Sequence, residues 1–209
     1  MATHSVPYGE LMNGETGQDP HYEQKLRSRL GHGEITSNLL RLALRTVLYE
    51  LIKVDVAEQV RSFFVFGFDQ DGDILSPEYE TKVLSLHKNR GEASLLWLKS
   101  VEALDDDDIE LVKQLRVERN NAAHEGMRLL LDPNAEFDDD LVEGGAAVLE
   151  KLGRFWGGIS ADSDPQFDGV EVDYDEIRSM QSVAFEHVRE VAEAMFEVGR
   201  QIDLSEDAS

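Results

Sequence analysis

The pattern of apolar and polar positions along the chain is helical nearly throughout. The stretch "EITSNLLRLALRTVLYELIKVDVAEQVRSFF", residues 34–64, sets Ile35, Leu39, Leu44, Leu48, Leu51 and Val54 on one side and Ser37, Arg41 and Arg45 opposite. That spacing predicts a long amphipathic helix. A turn-rich segment, "GFDQDGDILSPEYE", follows, and then two shorter helical stretches, "EYETKVLSLHK" and "EASLLWLKSVEAL", separated by "NRGE". Four aspartates, Asp105 to Asp108, stand where a helix N-terminus wants a cap and negative charge. The helix they open should run to about Leu131 and stop at "DPN". Another begins after "FDDD" and carries Leu141, Val142, Val148, Leu149 and Leu152, with "GGISADSDPQFDG" read as a loop. The last helix, from Asp175 to about Ile202, has the most regular period. Ile177, Met180, Ala184, Val188, Val191, Met195, Val198 and Ile202 recur at three- and four-residue steps with one extra four-step. A seam of that kind calls for a long helical partner, in the same chain or in a second copy.

No stretch alternates convincingly as a strand, and no internal repeat is present. The expected fold is therefore all-α, an antiparallel up-and-down bundle with long helices. Residues 1–33, with five glycines and two prolines, read as a loosely ordered arm with a short helix around "YEQKLRSRL". Residues 34–203 read as a single bundle domain, with the long C-terminal helix over about 174–203, and 204–209 as a disordered tail.

Charge sharpens this picture. The 209 residues hold 43 Asp and Glu against 20 Lys and Arg, a formal net charge of -23. Such a field repels nucleic acid and anionic membranes over most of the surface, so any nucleic-acid contact needs a local basic patch. The chain has no cysteine, which excludes disulfides, thiolate metal sites and Cys nucleophiles. The N-terminus lacks the apolar run of a signal peptide and no stretch is long and apolar enough to span a bilayer, so a cytoplasmic protein that does not engage membranes is the expectation.

The exception to the acidity is the helix Leu111 to Leu131. Wound at about 100° per residue with Arg119 at zero, Val112, Leu115, Ala122, Ala123 and Leu130 fall within roughly 60° of it. Arg119 therefore lies along the apolar stripe, and an unpaired guanidinium there is expensive, so it needs a carboxylate, a backbone carbonyl or an anionic ligand. Beside the stripe come Arg116, Asn120, Lys113, His124 and Arg128, a basic and amide-bearing face. Asn120 and His124 are one turn apart.

"RNNAAH", Arg119 to His124, resembles the signature of the HEPN superfamily, an Arg followed by a polar residue, usually Asn, with a His a few positions later on a bundle helix. The flanking "VERNNAAHEG" looks like the common form of that motif. The resemblance covers about residues 34–158. It implies a homodimeric bundle in which the two Arg–His motifs face each other across a cleft that, in active members, cuts RNA without a metal to leave 2′,3′-cyclic phosphate ends. It implies His124 as proton carrier, Arg119 as the cation on the phosphate, and Asn120 as the residue that orients His124 or the substrate. Histidine changes protonation near neutral pH, and the planar guanidinium matches phosphate oxygens. Lys113, Arg116 and Arg128 are candidate RNA-backbone contacts by position alone. The setting implied is a toxin–antitoxin, defence or stress system with a cognate antitoxin. The competing expectation is a non-catalytic acidic helical dimer that docks a basic protein partner.

Weaker signals remain. Asp69, Asp71, Asp73 and Glu80 echo a calcium-binding EF-hand loop, but Gly72 comes two places early and Ile74 holds the usual glycine position. An acidic turn between helices is the simpler expectation. Asp105 to Asp108 and Asp138 to Asp140 are read as helix caps rather than metal ligands, and no cofactor is called for. Trp97 and Trp156 are expected to anchor core packing.

Overall fold

The structure is a computed structural model, described over residues 21–207, with side chains described to residue 199 and at Gln201. Its order is α1 (Tyr22–Arg29), α2 (His32–Lys53), a π-helical turn (Val54–Gln59), α3 (Val60–Phe63), the hairpin β1 (Val65–Asp69) and β2 (Gly72–Leu75), a second π-helical turn (Tyr79–Val83) with a 3-10 turn (Leu84–Leu86), α4 (Arg90–Ser100), α5 (Asp106–Leu131), α6 (Asp139–Ser163), two 3-10 turns (Pro165–Phe167, Tyr174–Glu176) and α7 (Met180–Asp207). The all-α bundle with long helices is what the sequence leads one to expect. α2 stands at its centre, packed by α5, α6 and α7.

That central position explains where the expected faces of α2 go. Leu44, Leu48 and Ile52 are buried, but so are Asn38 and Arg45 from the polar side, while Leu39 is half exposed. A helix covered on most sides must bury polar groups, and these need partners. Arg45 donates to the Arg41 carbonyl at 3.0 Å and the Asp138 carbonyl at 2.6 Å, and reaches Asp139 at 3.4 Å. Burial lowers its pKa from the ordinary arginine value, against the pull of Asp139. Two guanidiniums lie over the Phe137 ring, those of Arg29 at 5.5 Å and Arg45 at 5.1 Å from its centroid. Arg29 also donates to the carbonyls of Leu130 (3.2 Å) and Leu129 (2.9 Å), closing the C-terminus of α5.

The core fills the space between these helices. Leu48, Ile52, Val60, Leu98, Leu115, Val148, Leu149 and Leu152 are fully enclosed. Trp97 and Trp156 stack at 6.2 Å within a cluster that includes Phe63, Phe64 and Phe155, as expected of core anchors. Gly145 on α6 sits where an added Cβ would come within 2.6 Å of Leu115 and 2.7 Å of Leu48. Gly33 and Gly199 face each other at the crossing of α2 and α7.

Three segments depart from the sequence reading. The "GFDQDGDIL" stretch is an antiparallel hairpin with Phe68 opposite Asp73 and Asp69 opposite Gly72, not a turn between helices. Gly72 takes φ 117°, which glycine adopts without strain. The stretch "GGISADS", expected as a loop, continues α6 to Ser163. α7 starts at Met180 rather than Asp175 and reaches Asp207, so most of the expected tail is helical. Residues 1–20 of the expected arm lie outside the described residues; α1 fulfils the expected short helix.

Candidate functional site

The site rests on α5, and its start is firmly fixed. Asp105 caps the helix by accepting from the Asp108 amide at 2.9 Å, and the Asp108 carboxylate accepts from the Asp105 amide at 3.0 Å, a reciprocal capping box. Lys151 of α6 bonds both Asp108 oxygens, at 2.7 and 2.8 Å, and Asp105 at 3.3 Å. The hydrogen bond to Asp108 raises the Lys151 pKa, and the amide of Asp108 lowers that of Asp105. The aspartate run is thus cap and ion pair, and Asp138 likewise caps α6 through the Leu141 amide. Ile109, Val112 and Leu115 then bury the first half of α5.

From Arg116 onward no residue of α5 is buried. Arg119 finds the carboxylate that its place on the stripe demands. Its Nε donates to Glu50 Oε1 of α2 at 2.9 Å and its Nη2 lies 2.7 Å from the same oxygen, while Nη1 donates to Asn120 Oδ1 at 3.3 Å. Lys53 holds the other Glu50 oxygen at 3.0 Å. Bonds from Lys53 first and Arg119 second keep the Glu50 carboxyl below the usual carboxylate range. Arg116 pairs with Glu92 of α4 at 2.6 Å, and Arg128 pairs with Glu125 and, at 3.9 Å, Asp132. The side chains of Lys113 and His124 have no hydrogen-bond or ion-pair partner among the described residues.

The structure therefore brings Arg119 and Asn120 together and leaves Asn120 and His124 exposed one turn apart. It does not bring Arg119 to His124. Five helical steps set them about 140° apart, so Arg119 turns toward α2 and His124 toward solvent. Arg116 and Arg128, expected by position as RNA-backbone contacts, are matched to Glu92 and Glu125, and Arg119, expected to need a partner, is matched to Glu50. Glu50 and Glu92 escaped the sequence reading; only the need of Arg119 for a partner hinted at them.

A second chemically distinctive group lies elsewhere. Asp55, in the π-helical turn after α2, is 2% exposed. Its backbone carbonyl accepts from Trp156 Nε1 at 3.1 Å, but its Oδ2 has no partner among the described residues. Burial pushes its carboxyl up to about 6. It borders a cavity of about 390 Å³ with Phe63, Trp156, Gly157 and Ser179. The EF-hand-like spacing of Asp69, Asp71, Asp73 and Glu80, expected as an acidic turn between helices, falls on the hairpin. Asp69 accepts from the Asp71 amide at 2.8 Å, and Asp73 pairs with Arg61. Among the described residues no group of three or more His, Asp or Glu side chains is placed to share a cation, and no helix is long and apolar enough to cross a membrane.

Compared with known proteins, the chain matches no family model, no curated protein and no solved structure.

Proposed function

We propose that this chain is a HEPN-like protein that handles RNA on the exposed half of α5. Arg119 engages a phosphate, His124 moves a proton, Asn120 orients them, and Lys113, Arg116 and Arg128 follow the RNA backbone. In the cleavage reaction the ribose 2′-hydroxyl loses its proton and attacks the adjacent phosphorus. The P–O5′ bond breaks and a proton passes to the leaving 5′-oxygen, giving a 2′,3′-cyclic phosphate and a 5′-hydroxyl. Because Arg119 and His124 leave one helix in different directions, the reaction needs a second copy to close the site, and a homodimer is part of the proposal.

The observation that carries this reading is the state of Arg119. It is held at the surface by a single carboxylate with Lys53 as competitor, rather than locked into the core. A pair at that exposure contributes about 0–1 kcal/mol, so a phosphate can replace Glu50 at little cost. The test is incubation of the purified protein with structured and unstructured RNA in EDTA, read as cyclic-phosphate ends. Wild type should produce them and His124→Ala should not; equal silence from both across the panel removes catalysis. Glu50→Gln should tighten RNA binding by up to about fivefold.

One observation favours the non-catalytic alternative. With Arg116, Arg119 and Arg128 all ion-paired, the face presents little free positive charge, which suits docking of a basic protein. Tight capture of such a protein, together with RNA binding that His124→Ala and Arg119→Ala leave unchanged, would select it.

A further inference from the structure

The docked and free faces of α7 carry two interleaved heptad patterns, and only one of them packs against other described residues. Ser182, Phe185, Ala192 and Gly199 are buried, with Phe196 half-buried beside them, and this face packs against α2. The other pattern, Ala184, Val188, Val191, Met195 and Val198, is exposed, with Val188 at 41%, Val191 at 60%, Met195 at 45% and Val198 at 56%. Ile202, whose side chain lies outside the described residues, continues the spacing in sequence.

Charge is arranged around this stripe in a revealing way. At 100° per residue the exposed apolar positions and His187 lie within about 60° of one line along the helix. Glu186, Glu190, Glu193 and Glu197 all lie about 120° or more from it. In a chain with 43 acidic residues, four carboxylates of one helix are kept off a water-facing apolar strip. An uncharged strip selects neither a basic nor an acidic partner. It does suit a helix of the same kind, because apolar steps of three and four are the pattern that interlocks with its own copy.

We infer that α7 pairs with α7 of a second copy of this chain, in antiparallel register. With sequence position 193 on the dyad, Val188 faces Val198, Val191 faces Met195 and Ala184 faces Ile202, so each position of one type meets its complement. A parallel pair would instead set each apolar position against its own copy. The strip is roughly 27 Å long and one helix wide, which places the pair at the small end of specific interfaces. α5 and α7 pack on α2 and α6 without substantial contact with each other, so this pairing is separate from any cleft built on Arg119 and His124. It stands independently of the RNA reading.

The test uses the full chain. Sedimentation velocity across about two decades of concentration around the micromolar range should show wild type passing from monomer to dimer. Val191→Glu should remain monomeric, with helicity unchanged. Because the chain has no cysteine, single substitutions give an independent arm. A mixture of Val191→Cys and Met195→Cys should form the mixed disulfide faster than either variant alone forms its own. This arm decides the matter even if Val191→Glu misfolds. A wild type that stays monomeric overturns the inference, as does a dimer that survives Val191→Glu. Preferential like-with-like crosslinking overturns the antiparallel register. Slow thiol modification of Cys at 191 in a monomeric chain assigns the strip to another segment of the same chain, residues 1–20 first, and overturns it too.

Discussion

α5 and α7 are the two longest helices of the bundle, and each keeps a surface that the core does not use. On α5 the division is end to end. Asp108, Ile109, Val112 and Leu115 are buried, whereas the half with Arg119, Asn120 and His124 is not. On α7 the division is side to side, with Phe185 and Ala192 inward and Val191 outward. The spare surface of α5 is charged and internally neutralised by Glu50, Glu92 and Glu125; that of α7 is apolar with charge held away. The difference teaches that two helices of one bundle can stay partly uncovered in opposite ways, one with its charges neutralised in pairs, the other with charge held away from an apolar strip.

This contrast can be broken by mutation. The largest effect is expected at Leu115, fully buried: Leu115→Ala should lose about 2–5 kcal/mol in denaturant unfolding, while Met127→Ala, 70% exposed, should stay within about 0.5 kcal/mol. Similar losses from both would show that the motif half of α5 is packed after all. Next comes Asp55. Its folded-state pKa of about 6 lies above the ordinary 3.8, so the protonated form is favoured by folding. The stability it confers is full below pH 3.8 and is lost as pH rises through 6. Between those values Asp55→Asn should gain on wild type by up to about 3 kcal/mol, read as a flatter pH–stability profile. The glycines give the smallest and most discriminating pair. Gly145→Ala should cost about 1–3 kcal/mol by collision with Leu48 and Leu115. Gly126→Ala, on the free half with nothing within 4 Å of the new methyl, should stabilise by about 0.5–1 kcal/mol through helix propensity. If both destabilise, the free half is not free.

Much of the bundle is legible in the sequence because its punctuation is local. The aspartate run opens α5 and "DPN" closes it where expected, and of the carboxylate, backbone carbonyl or anionic ligand that Arg119 is expected to need, the fold supplies the carboxylate of Glu50. The misreadings have physical causes. The hairpin hides because its phenylalanines face outward, Phe66 and Phe68 being 68% and 79% exposed, so no buried alternation marks it. Arg45 reads as surface because its partners, the carbonyls of Arg41 and Asp138, leave no trace in sequence. On α7 the more regular apolar pattern is the exposed one. Periodicity announces that a helix has a partner but not which of two interleaved stripes meets its own chain. The separation of Arg119 from His124 follows from their spacing, yet the identity of Glu50 as the residue that claims Arg119 required the tertiary fold.

The clasp of Arg29 on the last carbonyls of α5 has a temporal consequence. Its acceptors lie 100 and 101 residues further along the chain. Contacts of such long loop closure form late, once the intervening segments are in place. The terminal turn beyond His124 is therefore among the last parts to be secured during synthesis, and a nick between Leu30 and Gly31 should let that turn fray first, visible as faster amide exchange at Leu130, Leu131 and Asp132.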